Sequence, residues 1–190
     1  MKRSDLYFIA LIPGEDLREK IRILKEEFRE HYGAKHALKS PAHITLQRPF
    51  RRDEIQEERI IDALEQFSKD QEEFKVSLSG FERFEPRVIY IKVSDHIKIN
   101  QLHYRLNQVL QKDLNFLEKE MNIKIHPHMT LATRDLDKKA FYRAWSDFKE
   151  RSFSAVFMVR SLFLLKHNGK YWDICREFPF LSINAVKEKM

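Results

Sequence analysis

The chain has 190 residues, 43% of them apolar, which is enough for a real core and excludes a disordered chain. A single cysteine, Cys175, excludes an internal disulfide framework and any multi-cysteine metal site. Thirty-five Lys and Arg against 29 Asp and Glu leave a net charge of +6, which suits a polyanionic partner without identifying one. No run approaches the ~18 consecutive apolar residues of a membrane helix.

Leu6 to Ile12 is a near-continuous apolar run ended by Pro13-Gly14, the pattern of a central strand. It mimics a secretory leader, but Pro13-Gly14-Glu15-Asp16 stands where a small-residue cleavage site would be, so a soluble cytoplasmic protein is expected. Leu17, Ile21, Leu24 and Phe28 fall at helical spacing. Tyr32 to Pro41 reads as a loop and His43 to Phe50 as a strand. Ile60, Ile61, Leu64 and Phe67 mark a second helix, with Asp53 near its N-cap. Phe74, Val76 and Leu78 alternate as in a half-buried strand, and Gly80 marks a bulge or bend. Val88 to Val93 is another strand, and residues 97 to 117 form a long helix. His128 to Arg134 reads as a strand and the stretch around Phe141, Trp145 and Phe148 as a short helix. Phe153 to Leu165 is rich in strand formers, Asn168-Gly169 supplies a hairpin turn, and Tyr171 to Phe178 returns. The charged tail after Phe180 is expected to be loosely held. Hairpins mixed with helices argue for an α+β fold with largely antiparallel sheets. No Gly-, Pro- or Ser-rich linker divides the chain, so residues 1–190 are expected to form one domain.

One pattern stands above this background. His43-Ile44-Thr45-Leu46 and His128-Met129-Thr130-Leu131 share the order His–apolar–Thr–apolar, 85 residues apart, in a chain with only three threonines. In shuffled chains of this composition, two His-x-Thr matches would arise in under about 1% of cases. Along a strand, residues i and i+2 share a face. Each motif therefore presents an imidazole beside a hydroxyl and turns its two apolar residues to the other side. Two imidazoles and two hydroxyls across a cleft suit phosphodiester chemistry without a metal. One histidine can take a proton from the attacking oxygen while the other gives one to the leaving oxygen. The hydroxyls can hold the non-bridging phosphoryl oxygens. Histidines on two separate strands also supply the opposed positions that in-line displacement requires.

These two motifs resemble those of the 2H phosphoesterase superfamily, and most closely its bacterial branch of 2′-5′ RNA ligases, or RNA 2′,3′-cyclic phosphodiesterases. The Pro41-Ala42 and His126-Pro127 leads into the motifs and the strand, Pro-Gly turn and helix at the start of the chain are similar too. The resemblance implies two pseudo-symmetric lobes of antiparallel sheet with outer helices around a central cleft. It implies hydrolysis of a 2′,3′-cyclic phosphate to a 2′-phosphate, on an RNA end or a small cyclic nucleotide, with no cofactor and no metal. His43, Thr45, His128 and Thr130 would be catalytic. His43 would be the base and His128 the acid, although near-symmetric motifs leave the roles open to exchange. Relatives often carry an Arg shortly after each motif. Strand parity puts Gln47 and Arg134 on the cleft faces and turns Arg48 away unless the strand bends at Pro49, so Arg134 is favoured over Arg48 as a phosphate contact. A monomer that binds no membrane is expected.

Two rivals remain. One is the reverse reaction, 2′-5′ RNA joining; the other is a nucleotide- or RNA-binding module without turnover. His126 and His128 form a His-x-His pair that can ligate zinc, but no third ligand is apparent in the sequence. Arg51-Arg52, Lys166 and Lys170 are either guides for a polyanion or solvated residues. Tyr90, Phe50, Tyr171 and Trp172 are candidate base-stacking platforms among residues that are mostly core.

Overall fold

A computed structural model describes residues 4–181. Among these residues eight strands form two four-stranded sheets, ordered β2-β1-β7-β8 and β5-β4-β3-β6, and every neighbouring pair is antiparallel. The class is α+β, as the mixed hairpins and helices require. One core runs through both sheets, with members such as Ile9, Leu46, Ile91 and Leu131.

The first strand, β1 (Ser4–Leu11), is central in its sheet and covered on both faces. Tyr7, Ile9 and Leu11 point into the main core, while Phe8, Ala10 and Ile12 join a second cluster with Phe163 and Leu165. Burial on both faces explains the apolar run without alternation. Helix α1 (Glu15–Tyr32) ends at Gly33, whose φ of 73° only glycine adopts without strain, and the amide of Ala34 closes back on the Phe28 carbonyl at 3.1 Å. A 3-10 turn (His36–Lys39) then leads to β2 (Ile44–Asp53). Asp53 caps the next turn as expected, though that turn is a short 3-10 segment (Glu54–Gln56) before α2 (Glu57–Lys69).

Strand β3 (Phe74–Phe84) runs past the expected end, with Gly80 at positive φ where its register with β4 (Val88–Val93) slips. Helix α3 (Ile97–Lys112) is followed by β5 (His128–Ala132), shorter by two residues than the sequence suggests. Helix α4 (Lys138–Phe148) is N-capped by Asp137, whose carboxylate accepts the Ala140 amide at 2.9 Å. The stretch from Phe153 to Leu165 is two strands, β6 (Ser154–Val159) and β7 (Ser161–His167), which belong to different sheets. The chain crosses between them at Arg160, with no Gly or Pro to announce the change. Strand β8 (Trp172–Pro179) closes the hairpin after Asn168, whose side-chain oxygen accepts the amides of Lys170 and Tyr171 at 2.9 and 2.7 Å. Of the charged tail, residues 182–190 lie outside the described residues. No helix among the described residues is long and apolar enough to cross a membrane.

Both His–Thr motifs lie on edge strands, β2 in one sheet and β5 in the other. Helix α1 packs on β5 and α4, so the first helix of the chain supports the second motif. Phe148 secures this packing. It is fully buried, with ring centroids 4.6 Å from Phe28 of α1 and 5.1 Å from Phe81 of β3. Phe148→Ala is expected to destabilise the fold by about 3–5 kcal/mol, read as a lowered midpoint in urea unfolding. A loss below about 1 kcal/mol would mean that α1 and α4 are not fastened here.

Candidate active site

The two motifs are built alike. His43 Nδ1 lies 2.8 Å from the Pro41 carbonyl, and His128 Nδ1 lies 2.6 Å from the His126 carbonyl. A carbonyl only accepts, so Nδ1 carries the proton on each ring and Nε2 is left as the basic nitrogen. Thr45 is paired with Ala10, and Thr130 with Tyr90. Directly paired residues share a face, so each threonine stands two residues beyond its histidine on the side away from the main core. Ile44, Leu46, Met129 and Leu131 are fully buried on the other side. Both histidines and both threonines are half-buried.

His43, Thr45, Thr130 and Arg134 line one cleft of about 460 Å³. Its wall also includes Lys25, His36, Lys39, Thr133 and Trp172, and it contains no carboxylate. His128 sits beside Thr130 on β5, close enough for its charge to act on His43. Burial and then the positive charge of Lys25 push His43 down to about 4, against the pull of the Pro41 carbonyl. Burial lowers His128 as well, less far; the His126 carbonyl opposes the shift, and the His126 imidazole adds a smaller lowering. A pocket rich in cations and neutral imidazoles, with hydroxyls and no acid, is built for an anion.

Residues 13–170 match the model of the 2′-5′ RNA ligase superfamily. The chain belongs to that superfamily. A Geobacillus sp. (strain WCH70) protein named only provisionally as a phosphoesterase is 29% identical over 132 residues, 68% of this chain and 69% of that protein. A similarly named Geobacillus kaustophilus (strain HTA426) protein is 28% identical over 145 residues, 75% of this chain and 77% of its own length. The fold matches that of E. coli LigT solved with 3′-AMP, at a TM-score of 0.68 and 15% identity over 94% of this chain and 99% of LigT. A Thermus thermophilus structure matches at 0.64 and 17% identity, again over 94% and 99%. The family and the α+β fold that the motifs led us to expect are therefore those of the chain.

Gln47 requires a correction. The register steps from Ile9 opposite Gln47 to Ala10 opposite Thr45, leaving Leu46 as an extra residue. This bulge breaks the alternation, and Gln47 is turned into the protein, fully buried. Its amide nitrogen donates to the Glu120 carbonyl at 2.8 Å, and its oxygen accepts the Asn122 amide at 3.3 Å. It fastens the 120–122 segment and does not face the cleft. Arg48 is also directed there, bonding the carbonyls of Lys119 and Glu120. Arg134 does reach the cleft, but not by strand parity: β5 ends at Ala132, and Arg134 adopts a left-handed φ of 58°. Lys166 is tied to Asp5 and Glu57 at 3.0 and 2.6 Å. Among the described residues no three His, Cys, Asp or Glu side chains are grouped to hold a metal, so His126 and His128 find no third ligand there.

Of the candidate stacking residues, Phe50 and Tyr90 are buried, whereas Trp172 lines the cleft, 4.6 Å edge-on from Phe8, and Tyr171 is exposed. Sequence reasoning missed Phe84, 39% exposed and edge-on to the His128 ring at 5.1 Å. It also missed Lys25, although a signal existed: Lys25 is four residues after Ile21 and falls on the apolar stripe of α1. Gln47→Ala is expected to cost about 1–3 kcal/mol of stability because it strands the Asn122 amide and removes a donor from the Glu120 carbonyl. Ligand affinity at the cleft should be unchanged; a large loss of affinity with full stability would return Gln47 to the site.

Proposed function

We propose that this superfamily member is a metal-independent phosphodiesterase that opens 2′,3′-cyclic phosphates on RNA ends or nucleotides to 2′-phosphates. The observation that carries this reading is the duplicated device itself: an imidazole whose Nδ1 is engaged by the carbonyl two residues back, and a threonine two residues ahead on the same face. A binding pocket would need hydroxyls and cations, but it has no use for two imidazoles held in one tautomer with Nε2 basic. The cationic cleft supports an anionic substrate, and E. coli LigT, of the same fold, has been solved with 3′-AMP, NADP+ and ATP.

In this reading water attacks phosphorus and His43 Nε2 takes its proton. The bond from phosphorus to O3′ breaks, and the protonated His128 gives its Nε2 proton to that oxygen. The phosphate stays on O2′, and the two histidines reset through solvent. Thr45, Thr130 and Arg134 hold the non-bridging oxygens as charge gathers on them. His43 takes the base role because it is the more strongly depressed of the pair and is unprotonated at neutral pH.

Nucleoside 2′,3′-cyclic phosphates incubated with EDTA should be hydrolysed, with the 2′-phosphate identified by phosphorus NMR. His43→Ala and His128→Ala should each lower kcat by about 10²–10⁴. A cyclic-phosphate substrate is compared with a p-nitrophenyl phosphodiester, whose leaving group needs no proton. His128→Ala should recover on the activated ester, and His43→Ala should not. Turnover that survives both alanine changes, or is abolished by EDTA, would defeat the proposal. The family's name brings the reverse reaction into the same test: joined RNA ends are sought beside hydrolysis, which about 55 M water should favour.

The pH dependence has a definite sign. In the free enzyme the competent form has His43 neutral and His128 protonated. It exists above about 4, where His43 loses its proton, and below the lowered value of His128, itself under its ordinary 6.5. The kcat/KM profile should therefore be a bell on the acid side of neutrality, falling as pH rises past the His128 limb. A profile still rising at pH 8 would exchange or remove these roles.

A further inference from the structure

Lys25 is 3% exposed on α1, yet it makes no ion pair among the described residues. Its ammonium donates to two backbone carbonyls, Ala37 at 2.9 Å and Ser40 at 3.0 Å. Those residues bracket the end of the 3-10 turn from His36 to Lys39, and the next residue is Pro41. Pro41 supplies the carbonyl that holds the His43 ring at 2.8 Å. A single buried side chain is thus fastened to the short segment that orients His43, and it lines the same cleft.

We propose that Lys25 is a positioning residue for His43: it fixes the Ala37–Pro41 segment through two carbonyls and sets a buried positive charge beside the imidazole. A structural fastener needs no charge, and burying an ammonium carries a desolvation penalty that an uncharged donor largely avoids. What a charge adds is a field on the neighbouring ring. Burial lowers Lys25 to about 8, which leaves it a cation at neutral pH. The other charged or titratable groups around His43 are His36 and Lys39 of the 3-10 turn, Arg134, His167 of β7 and His128 of the opposite sheet. None of these is a carboxylate; the adjoining groove that Lys25 also lines holds Glu15, Asp16 and Glu19 beside Arg18 and Arg22, and none of these five lines the cleft. The inference gains its catalytic meaning from the base role of His43, but its test reads the ring directly and needs no turnover.

The measurement is the titration of His43 followed by nitrogen–proton NMR in the native protein, Lys25→Met and Lys25→Arg. Methionine keeps the length and apolar packing and removes the charge and both hydrogen bonds. In Lys25→Met the His43 midpoint should rise by about one pH unit, a tenfold change in protonated fraction, and the acid limb of kcat/KM should move with it. Lys25→Arg keeps the charge and should keep the low midpoint. A packing role alone would change unfolding midpoints and leave the His43 titration where it was; that result would overturn the proposal. If Lys25→Met does not fold, the native protein carries the same test. The His43 ring shifts should show a second inflection near pH 8 as Lys25 loses its proton. Its absence, with Lys25 seen to titrate there, would also overturn the proposal.

Discussion

A hydrogen bond from an imidazole to a backbone carbonyl two residues earlier occurs twice in this fold, and the chemistry of the cleft depends on it. At Pro41–His43 and His126–His128 it spans only one intervening residue, so it ties each ring to the backbone just before its strand. It also settles which ring nitrogen is protonated, and so which one can act as a base. Proline lies inside both leads, as acceptor in one and as the intervening residue in the other.

That local device works only if both strands present the same face to a common space, and the sheets enforce this. On β2 and β5 the residues between and after the His and Thr are fully buried in one core shared by both sheets. Rotating either strand to hide its histidine would expose two large apolar side chains, at roughly 1.5–3 kcal/mol each. The site is thus held by the core on its far side. The β1 strand extends the argument: its odd positions fill that core, while Phe8 forms the floor against which His43 rests, at 4.9 Å between ring centroids.

This geometry decides what was legible in the sequence. The His–Thr pairs and their orientation follow from a two-residue period over three residues, a span too short for irregularity to intervene. The parity argument failed at Gln47, two residues further on, because the bulge at Leu46 shifts the phase and leaves no mark in residue type. It reached the right place for Arg134 by the wrong route, since the strand had already ended. The break at Arg160 was hidden for a similar reason: two apolar strands in different sheets join with one charged residue between them. Lys25 was passed over because Leu24 completes the helical stripe equally well, and a lysine next to it reads as solvated. Local periodicity reports faces; it does not report which distant backbone a buried side chain will reach.

The two halves are alike in sequence and pairing but not in their surroundings. Behind His43 stand the buried ammonium of Lys25 and the ring of Phe8. Around His128 stand Tyr90, the exposed Phe84 and the imidazole of His126, which is itself exposed. The Lys25 ammonium, buried and charged at neutral pH, opposes a second positive charge on His43. The same tetrapeptide therefore meets a harsher field in the first half than in the second. In the proposed reaction the two imidazoles take opposite roles, and environments that separate their proton affinities favour such a division. Burial of His43 comes first in that separation, and the Lys25 charge adds to it from helix α1, which carries no part of either motif.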